Sequence, residues 1–194
     1  MKVGDVGRPR TDKGAAADCI GVDGLKRFWR QILAALGLQL WAVFPVQAEI
    51  KVGDKLPPLA TYELTGGLLP STEGKVVFLD FWASWCAPCK QSFPAYGRLQ
   101  QELAEGGLVV LAVSVDKKPS EFAGFVQRHR PPFSTLHDVK QTLVKAVGVP
   151  AMPTGYLFDR EGRLRSIHPG FHGKQTEEEL RRLITELLKE GKTS

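Results

Sequence analysis

The stretch Trp85–Lys90, which reads Trp-Cys-Ala-Pro-Cys-Lys, decides how this 194-residue chain folds. The apolar run Val76–Trp82 leads directly into it, and residues 91–104 follow it with the pattern of a helix. Cys86 is therefore expected at a helix start, where unpaired backbone N–H groups and the positive end of the helix dipole favour a thiolate. Pro88 suits the first helical turn because its missing N–H costs nothing there. Two thiols three residues apart in this position predict a disulfide that forms and breaks repeatedly.

Half of a zinc site, or a structural cystine, is the other interpretation of Cys86 and Cys89. A zinc site needs two more thiols or histidines nearby. The third cysteine, Cys19, lies in a segment that we expect to be absent from the folded protein, and the four histidines show no ligand-like pairing near the two thiols. The sequence therefore favours redox chemistry at the Cys86–Cys89 pair, without a metal or any other cofactor.

The charge of the chain does not indicate a nucleic-acid partner. The sequence has 26 Lys and Arg against 21 Asp and Glu, a formal net charge of +5. Residues 1–48 hold seven of those basic residues and four of the acidic ones, which leaves 19 against 17 in the remainder. Because no basic stripe interleaved with aromatic residues occurs, we expect no binding to nucleic acid.

The N-terminal region has the pattern of a secretory signal peptide. Three basic residues between positions 26 and 30 precede the apolar run Ile32–Val46, and the small side chains at positions 46 and 48 predict cleavage after Ala48. The chain is thus expected to comprise a leader over residues 1–48 and one folded domain over residues 49–194. An uncleaved membrane anchor is the alternative, although 15 apolar residues are short for a membrane span.

The first 24 residues are long and mixed in charge for such a leader. We expect translation to start at Val22 or Leu25, in which case Cys19 is absent from the natural protein. Either start leaves an exported product with two cysteines in one motif, an even count that suits an oxidising compartment. The expected location is the periplasm or the outer face of the inner membrane.

Strands and helices alternate along the rest of the domain. A short strand near Ala60–Leu64 comes first, followed by a Gly-Gly turn. Further strands are predicted over residues 76–82, 108–115, 133–137, 154–158 and 164–168, and helices over residues 87–104, 119–130 and 141–147. The last helix is predicted to begin at a capping box formed by Thr176 and Glu179. This alternation indicates an α/β domain with a mixed sheet flanked by helices and with the thiols at the carboxyl end of a central strand.

Three segments together resemble the thioredoxin superfamily: Asp80–Ala83 on its strand, the Trp85–Lys90 helix start, and Met152–Thr154. The resemblance extends over nearly all of residues 50–190 and implies the thioredoxin fold. In that fold the proline of the last segment is cis and lies against the disulfide, so the Met152–Pro153 peptide is expected to be cis. A trans proline that opens a strand is the alternative.

The resemblance also implies where substrate binds. The residue before the cis proline pairs its backbone with substrate in this superfamily, which makes Met152 the expected specificity position. Its polarizable side chain adapts to different partners. Trp82, Trp85, Pro88, Met152 and Pro153 are then expected to form the apolar rim that docks an extended peptide.

The spacing between Cys89 and Pro153 exceeds that of simple thioredoxins by enough for one strand–helix unit, here residues 118–138. With the export signal and an N-terminal hairpin, the chain is similar to the TlpA/ResA/DsbE branch. These bacterial proteins reduce disulfides outside the cytoplasm and are tied to cytochrome c maturation or oxidase assembly. The resemblance implies disulfide-bonded protein substrates, electrons from a membrane thiol reductase of the DsbD or CcdA kind, and a monomer.

Asp80 departs from the pattern of that branch, whose members often carry Asn at this position and Glu where this chain has Ser92. A lone Asp in a buried strand must be paired or active in proton transfer. We expect Asp80 to lie beneath the thiols and to take the proton of Cys89 after the Cys86 thiolate has attacked a substrate disulfide. An Asp held by structural hydrogen bonds is the alternative.

Other functions stay open at this point. A disulfide oxidant or isomerase uses the same motif, although the insert is too short for the helical domain of DsbA-like proteins. A peroxidase is disfavoured because no Pro-x-x-x-Thr-x-x-Cys pattern occurs. A copper-binding assembly factor without turnover is expected to carry CxxxC and a well-placed His, whereas this chain has CxxC.

Overall fold

A computed structural model of the chain describes residues 49–190, so the predicted leader over residues 1–48 lies outside the described residues. From residue 76 onward, strands and helices follow the predicted order. The strands are β1 (Val76–Trp82), β2 (Leu108–Ser114), β3 (Ser134–His137), β4 (Thr154–Phe158) and β5 (Leu164–Pro169). The helices are α1 (Ala87–Leu103), α2 (Pro119–His129), α3 (Thr142–Val147) and α4 (Lys174–Glu190). None of these helices is both long and apolar enough to cross a membrane.

The five strands form one mixed sheet in the order β3-β2-β1-β4-β5. β1 pairs in parallel with β2 and antiparallel with β4, while β3 and β5 extend the sheet at its two edges. All seven residues of β1 are buried, which explains why its sequence is an almost continuous apolar run. The carboxyl end of this central strand delivers the chain to the Cys86–Cys89 motif, as predicted.

Two hydrophobic clusters cover the sheet. Phe78 of β1 belongs to a cluster with residues of α1 and α4, whereas its neighbour Leu79 belongs to a second cluster that includes residues of α2 and α3. Trp82, which shares a face of β1 with Phe78, belongs to the second cluster as well, so that cluster reaches both faces of the sheet at the carboxyl end of β1. The predicted insert at 118–138 corresponds to α2 and β3, which add the edge strand beside β2.

The strand predicted near Ala60–Leu64, and with it the N-terminal hairpin, is wrong. Leu59–Thr61 instead form a 3-10 turn in which the N–H and the hydroxyl of Thr61 both donate to the carbonyl oxygen of Pro58. The N–H of Tyr62 likewise donates to the carbonyl oxygen of Leu59, so the first donors of the predicted strand are already bonded within the turn. The segment joins the sheet through two isolated bridges, Lys55 to Arg163 and Thr65 to His137.

The predicted capping box at Thr176 is also wrong. Helix α4 begins at Lys174, directly after Gly173, whose φ of +66° places it in the left-handed region. The N–H of Glu177 already bonds to the Gly173 carbonyl, so the first turn closes before Thr176 can act as a cap. The Thr176 hydroxyl instead accepts from the N–H of His172, upstream of the helix.

Candidate redox site

The two cysteines form a disulfide at the junction between β1 and α1, with their Cα atoms 5.3 Å apart. Cys86 is the N-cap of α1, and its Sγ accepts a hydrogen bond of 3.2 Å from the N–H of Cys89. Pro88 lies in the first turn, as predicted. Cys86 is 5% exposed whereas Cys89 is fully buried, so solvent and substrate reach the first sulfur before the second.

A tight turn sets the position of Cys86. The N–H of Cys86 donates to the carbonyl oxygen of Ala83 at 3.1 Å, which closes the turn between the end of β1 and the helix. Inside this turn, both the N–H and the hydroxyl of Ser84 donate to the carboxylate of Asp116, at 3.0 and 2.9 Å. Asp116 follows strand β2 and is fully buried, and Ser114 donates to it as well, at 2.9 Å.

Sequence reasoning missed Asp116, although a signal was present. Ser114 and Asp116 end an otherwise apolar strand, and Ser114 lies opposite Trp82 in the register of β1 and β2. The carboxyl ends of parallel strands meet at one edge of a sheet, so polar residues there converge on the loops of that edge. The backbone carbonyl of Asp116 also lies 2.7 Å from Nε2 of the buried His137.

The Met152–Pro153 peptide is cis, which confirms the prediction made for it. Pro153 precedes β4, whose first residue Thr154 lies opposite Phe81 in β1. The cis proline therefore occupies the same edge of the sheet as the disulfide. Met152 is half-buried and packs against the hydrophobic cluster that contains both cysteines.

The expected substrate-docking residues differ in exposure. Trp85 is 66% exposed, an unusual value for a tryptophan, and Pro88 is also exposed. Trp82 is fully buried, so the prediction that it belongs to the docking rim is wrong. Pro153 is also buried, so only its neighbour Met152 offers a partly accessible side chain on that side. The structure thus brings an exposed aromatic ring, a thioether and the less buried sulfur to one edge of the sheet.

Asp80 lies on β1 and is fully buried, and neither of its carboxylate oxygens has a hydrogen-bond partner among the described residues. Burial raises the pKa of Asp80 well above its usual value, because a charge is costly without water. The neighbouring Tyr96 side chain opposes this rise. In the disulfide form, however, the Tyr96 hydroxyl stops short of hydrogen-bond geometry with either carboxylate oxygen.

The face of β1 that carries Asp80 is covered by α1. Phe78 and Trp82, two residues before and after Asp80, point to the same face of the strand. The ring of Phe78 meets that of Tyr96 at 4.9 Å, and the ring of Trp82 meets that of Phe93 at 4.8 Å. Asp80 therefore lies under the segment of α1 between Phe93 and Tyr96.

The histidines do not gather near the disulfide. His137 stacks on Phe122 at 5.0 Å, and His129 stacks on Phe125 at 4.1 Å. His168 lies in β5, with its Nε2 atom 2.8 Å from the Ser166 hydroxyl, and burial lowers its pKa. Within residues 49–190, no group of three or more His, Cys, Asp or Glu side chains has an arrangement that could hold a metal ion.

Comparison with known proteins identifies the relatives of this arrangement. The sequence profile described as the AhpC/TSA family matches residues 52–167. The thiol-disulfide oxidoreductase ResA of Geobacillus thermodenitrificans is 31% identical over 147 residues, which cover 74% of this chain and 84% of that protein. ResA of Halalkalibacterium halodurans is 29% identical over 172 residues, covering 84% and 98% of the two chains.

A solved structure agrees with the sequence matches. The crystal structure described as a putative thiol:disulfide interchange protein DsbE from Chlorobium tepidum superposes with a TM-score of 0.63 and 33% identity. The superposition covers 72% of this chain and 99% of that one. Because the match spans nearly all of that chain, the two proteins share the same fold.

Proposed function

The chain belongs to the AhpC/TSA family and is a ResA/DsbE-like thiol-disulfide oxidoreductase with the thioredoxin fold, and from this premise we propose that it reduces disulfides in proteins outside the cytoplasm. The observation that carries the proposal is the unequal setting of the two sulfurs. Cys86 caps the helix and is the more accessible sulfur, while Cys89 is buried one turn later. Such a pair suits a nucleophile and a resolving thiol.

The first step in the proposed cycle is attack by the Cys86 thiolate on one sulfur of a substrate disulfide. A bond forms between Cys86 and that sulfur, the substrate disulfide breaks, and the other substrate sulfur leaves as a thiolate. The N–H of Cys89 and the positive end of the α1 dipole stabilise the Cys86 thiolate before attack. Trp85 and Met152 lie at the same edge of the sheet as this sulfur, and we propose that they bind the peptide.

The second step releases the reduced substrate. The Cys89 thiol gives its proton to the Asp80 carboxylate and attacks the Cys86 sulfur, which forms the Cys86–Cys89 disulfide and frees the second substrate thiolate. The substrate has then gained two electrons and the protein has lost two. Support for Asp80 as the proton acceptor is its burial under α1 without a partner, because a raised pKa makes a carboxylate a stronger base near neutral pH.

Reduction requires electrons from outside the protein. We propose a membrane thiol reductase of the DsbD or CcdA kind as the donor, acting on a monomer, with cytochrome c maturation or oxidase assembly as the setting. Export follows from the leader pattern over residues 1–48, which also predicts a mature N-terminus at Glu49. Sequencing the N-terminus of protein from native membrane and periplasmic fractions tests this, and a start upstream of Ile32 instead indicates an anchor.

The direction of transfer is tested by the reduction potential of the Cys86–Cys89 pair. A reductant is expected near the thioredoxin value of about −270 mV, whereas a strong oxidant lies near about −120 mV. Equilibration of the mature protein with dithiothreitol or glutathione buffers measures the value. A potential above about −160 mV, or a pair found mostly oxidised in intact cells, would overturn the reductase proposal and favour an oxidant or isomerase.

A further inference from the structure

We propose that the redox site prefers partner proteins in which acidic residues flank the reacting cysteine, because exposed lysines border the place where the partner docks. The inference rests on the proposed function and names the substrate class of the same site. Lys90 and Lys117 carry it. Both side chains are exposed, and neither forms an ion pair with any residue of the described range 49–190.

Three segments meet at the edge of the sheet that carries the disulfide. They follow the carboxyl ends of β1, β2 and β3, over residues 83–90, 115–118 and 138–141. These strands are parallel neighbours, so the three segments leave the sheet on the same side. Hydrogen bonds fix each segment to the next: the Ser84 N–H donates to Asp116 at 3.0 Å, and the Gln141 amide donates to the Val115 carbonyl oxygen at 2.9 Å.

Two of these segments place a lysine close to the disulfide in the chain. Lys90 directly follows Cys89 in the first turn of α1. Lys117 directly follows Asp116, whose carboxylate accepts from Ser84 in the turn before the disulfide. The backbone positions of both lysines are therefore tied to the region where the partner must present its sulfur.

The acidic residues of the three segments are closed to a partner. Asp116 and Asp138 are the two carboxylates in these segments, and both are fully buried. Asp138 accepts from the N–H groups of Thr142 and Val144, at 3.0 and 2.9 Å, just as Asp116 accepts from donors within the domain. A docked peptide can therefore contact the ammonium groups at this edge but not these two carboxylates.

Ion pairing distinguishes Lys90 and Lys117 from the other lysines of the same edge. Lys118 lies 3.2 Å from Glu121, and Lys140 lies 2.5 Å from Glu63, so the charges of these two lysines are already partnered.

The charges of Lys90 and Lys117 remain available to carboxylates beside the cysteine of a partner. One exposed charge pair changes an affinity by a modest factor, about 1.4- to fivefold, so two such pairs give a measurable preference. Contacts of this kind act mainly on the association rate.

The test measures attack by Cys86 on activated peptides, in the mature Cys89→Ser protein. The peptides share a single cysteine, joined by a disulfide to thionitrobenzoate, and differ only in carrying Glu, Gln or Lys at the flanking positions. Attack forms the bond between Cys86 and the peptide sulfur, breaks the peptide disulfide and releases the coloured thiolate. We expect the Glu peptide to react roughly three- to tenfold faster than the Gln peptide at low salt, and the Lys peptide to react slowest. The difference should vanish at about 0.5 M salt.

The double variant Lys90→Gln/Lys117→Gln should bring the ratio of the Glu and Gln rates close to one. Any effect of Lys90 on the reactivity of the Cys86 thiol cancels in this ratio. Lys75→Gln/Lys189→Gln is the matched control, and it should keep the preference. It removes the same charge from two exposed lysines next to carbonyl groups that Arg160 binds, at the amino end of β1.

Equal rates for the Glu and Gln peptides, or a preference that survives in the Lys90 and Lys117 double variant, would overturn the inference. These outcomes do not depend on the direction of electron transfer, because the assay contains only the attack by Cys86. A reduction potential above about −160 mV would instead defeat the proposed reductase function and leave the preference for acidic partners standing.

Discussion

Replacing Asp116 by alanine should strongly destabilise the domain. Its carboxylate accepts from the Ser84 N–H, the Ser84 hydroxyl and the Ser114 hydroxyl, at 2.9 to 3.0 Å, in a site closed to solvent. A hydrogen bond to a charged group contributes about 1.5–3 kcal/mol, but the three are not additive, because Ser84 is only half-buried and regains some contact with water. We therefore expect a loss of about 3–4 kcal/mol in the free energy of unfolding.

Urea unfolding of the oxidised mature domain, followed by tryptophan fluorescence, measures this loss. Asp116→Asn keeps one acceptor oxygen, and the serine hydroxyls can rotate to accept from its amide, so the loss should fall to about 1–2 kcal/mol. Asp54→Ala is the control, because exposed Asp54 caps a turn with one bond from the Lys51 N–H. A loss below about 1 kcal/mol for Asp116→Ala, or an equal loss for Asp54→Ala, would refute the reasoning.

Three further predictions follow from single side chains. Cys89→Ser should accumulate mixed disulfides with substrate on Cys86 while Cys86→Ser accumulates few, as non-reducing gels of trapped complexes will show; equal trapping contradicts the assigned roles. Because folding raises the pKa of Asp80, the wild-type domain should lose stability as the pH rises from about 4 through the folded-state pKa of this group. In thermal unfolding, the stability of Asp80→Asn should increase relative to that of wild type between about pH 4 and 7. Arg160→Ala should lower the free energy of unfolding by about 2–3 kcal/mol in urea, because the guanidinium donates to carbonyl oxygens of three separate segments. A smaller loss for Arg160→Ala than for Arg160→Lys would contradict this reasoning.

The sequence predicts the strands of the sheet well because burial determines which residue types they contain. β1 and β4 match their predicted bounds, since a strand covered on both faces must be apolar at nearly every position. The junction at Cys86 is equally predictable, because an apolar strand followed directly by a helix start with a proline fits few other local structures. The cis peptide at Pro153 came from family resemblance, since local sequence alone allows either isomer.

The errors arise where a local pattern competes with contacts from elsewhere in the chain. Thr176 and Glu179 have the spacing of a capping box, yet Gly173 allows the helix to begin earlier. The Thr176 hydroxyl accepts a hydrogen bond from the N–H of His172 instead. The bonds between Ser84 and Asp116 join residues 32 positions apart. A single sequence reveals such a pair only after the register of β1 and β2 is known.

Two buried carboxylates at this end of the sheet differ in their hydrogen bonding, and this difference indicates which of them has a structural role. Asp116 is fully buried and accepts bonds from three donors, whereas Asp80 is fully buried and accepts none from residues 49–190. An unsatisfied buried carboxyl group lowers stability, so a role limited to stability is poorly served by Asp80 and well served by Asp116. The unsatisfied group lies under α1, the helix whose first turn carries Cys89, which suits the proton transfer proposed for it. The missing hydrogen bonds of Asp80 are thus the strongest structural argument that its function is chemical.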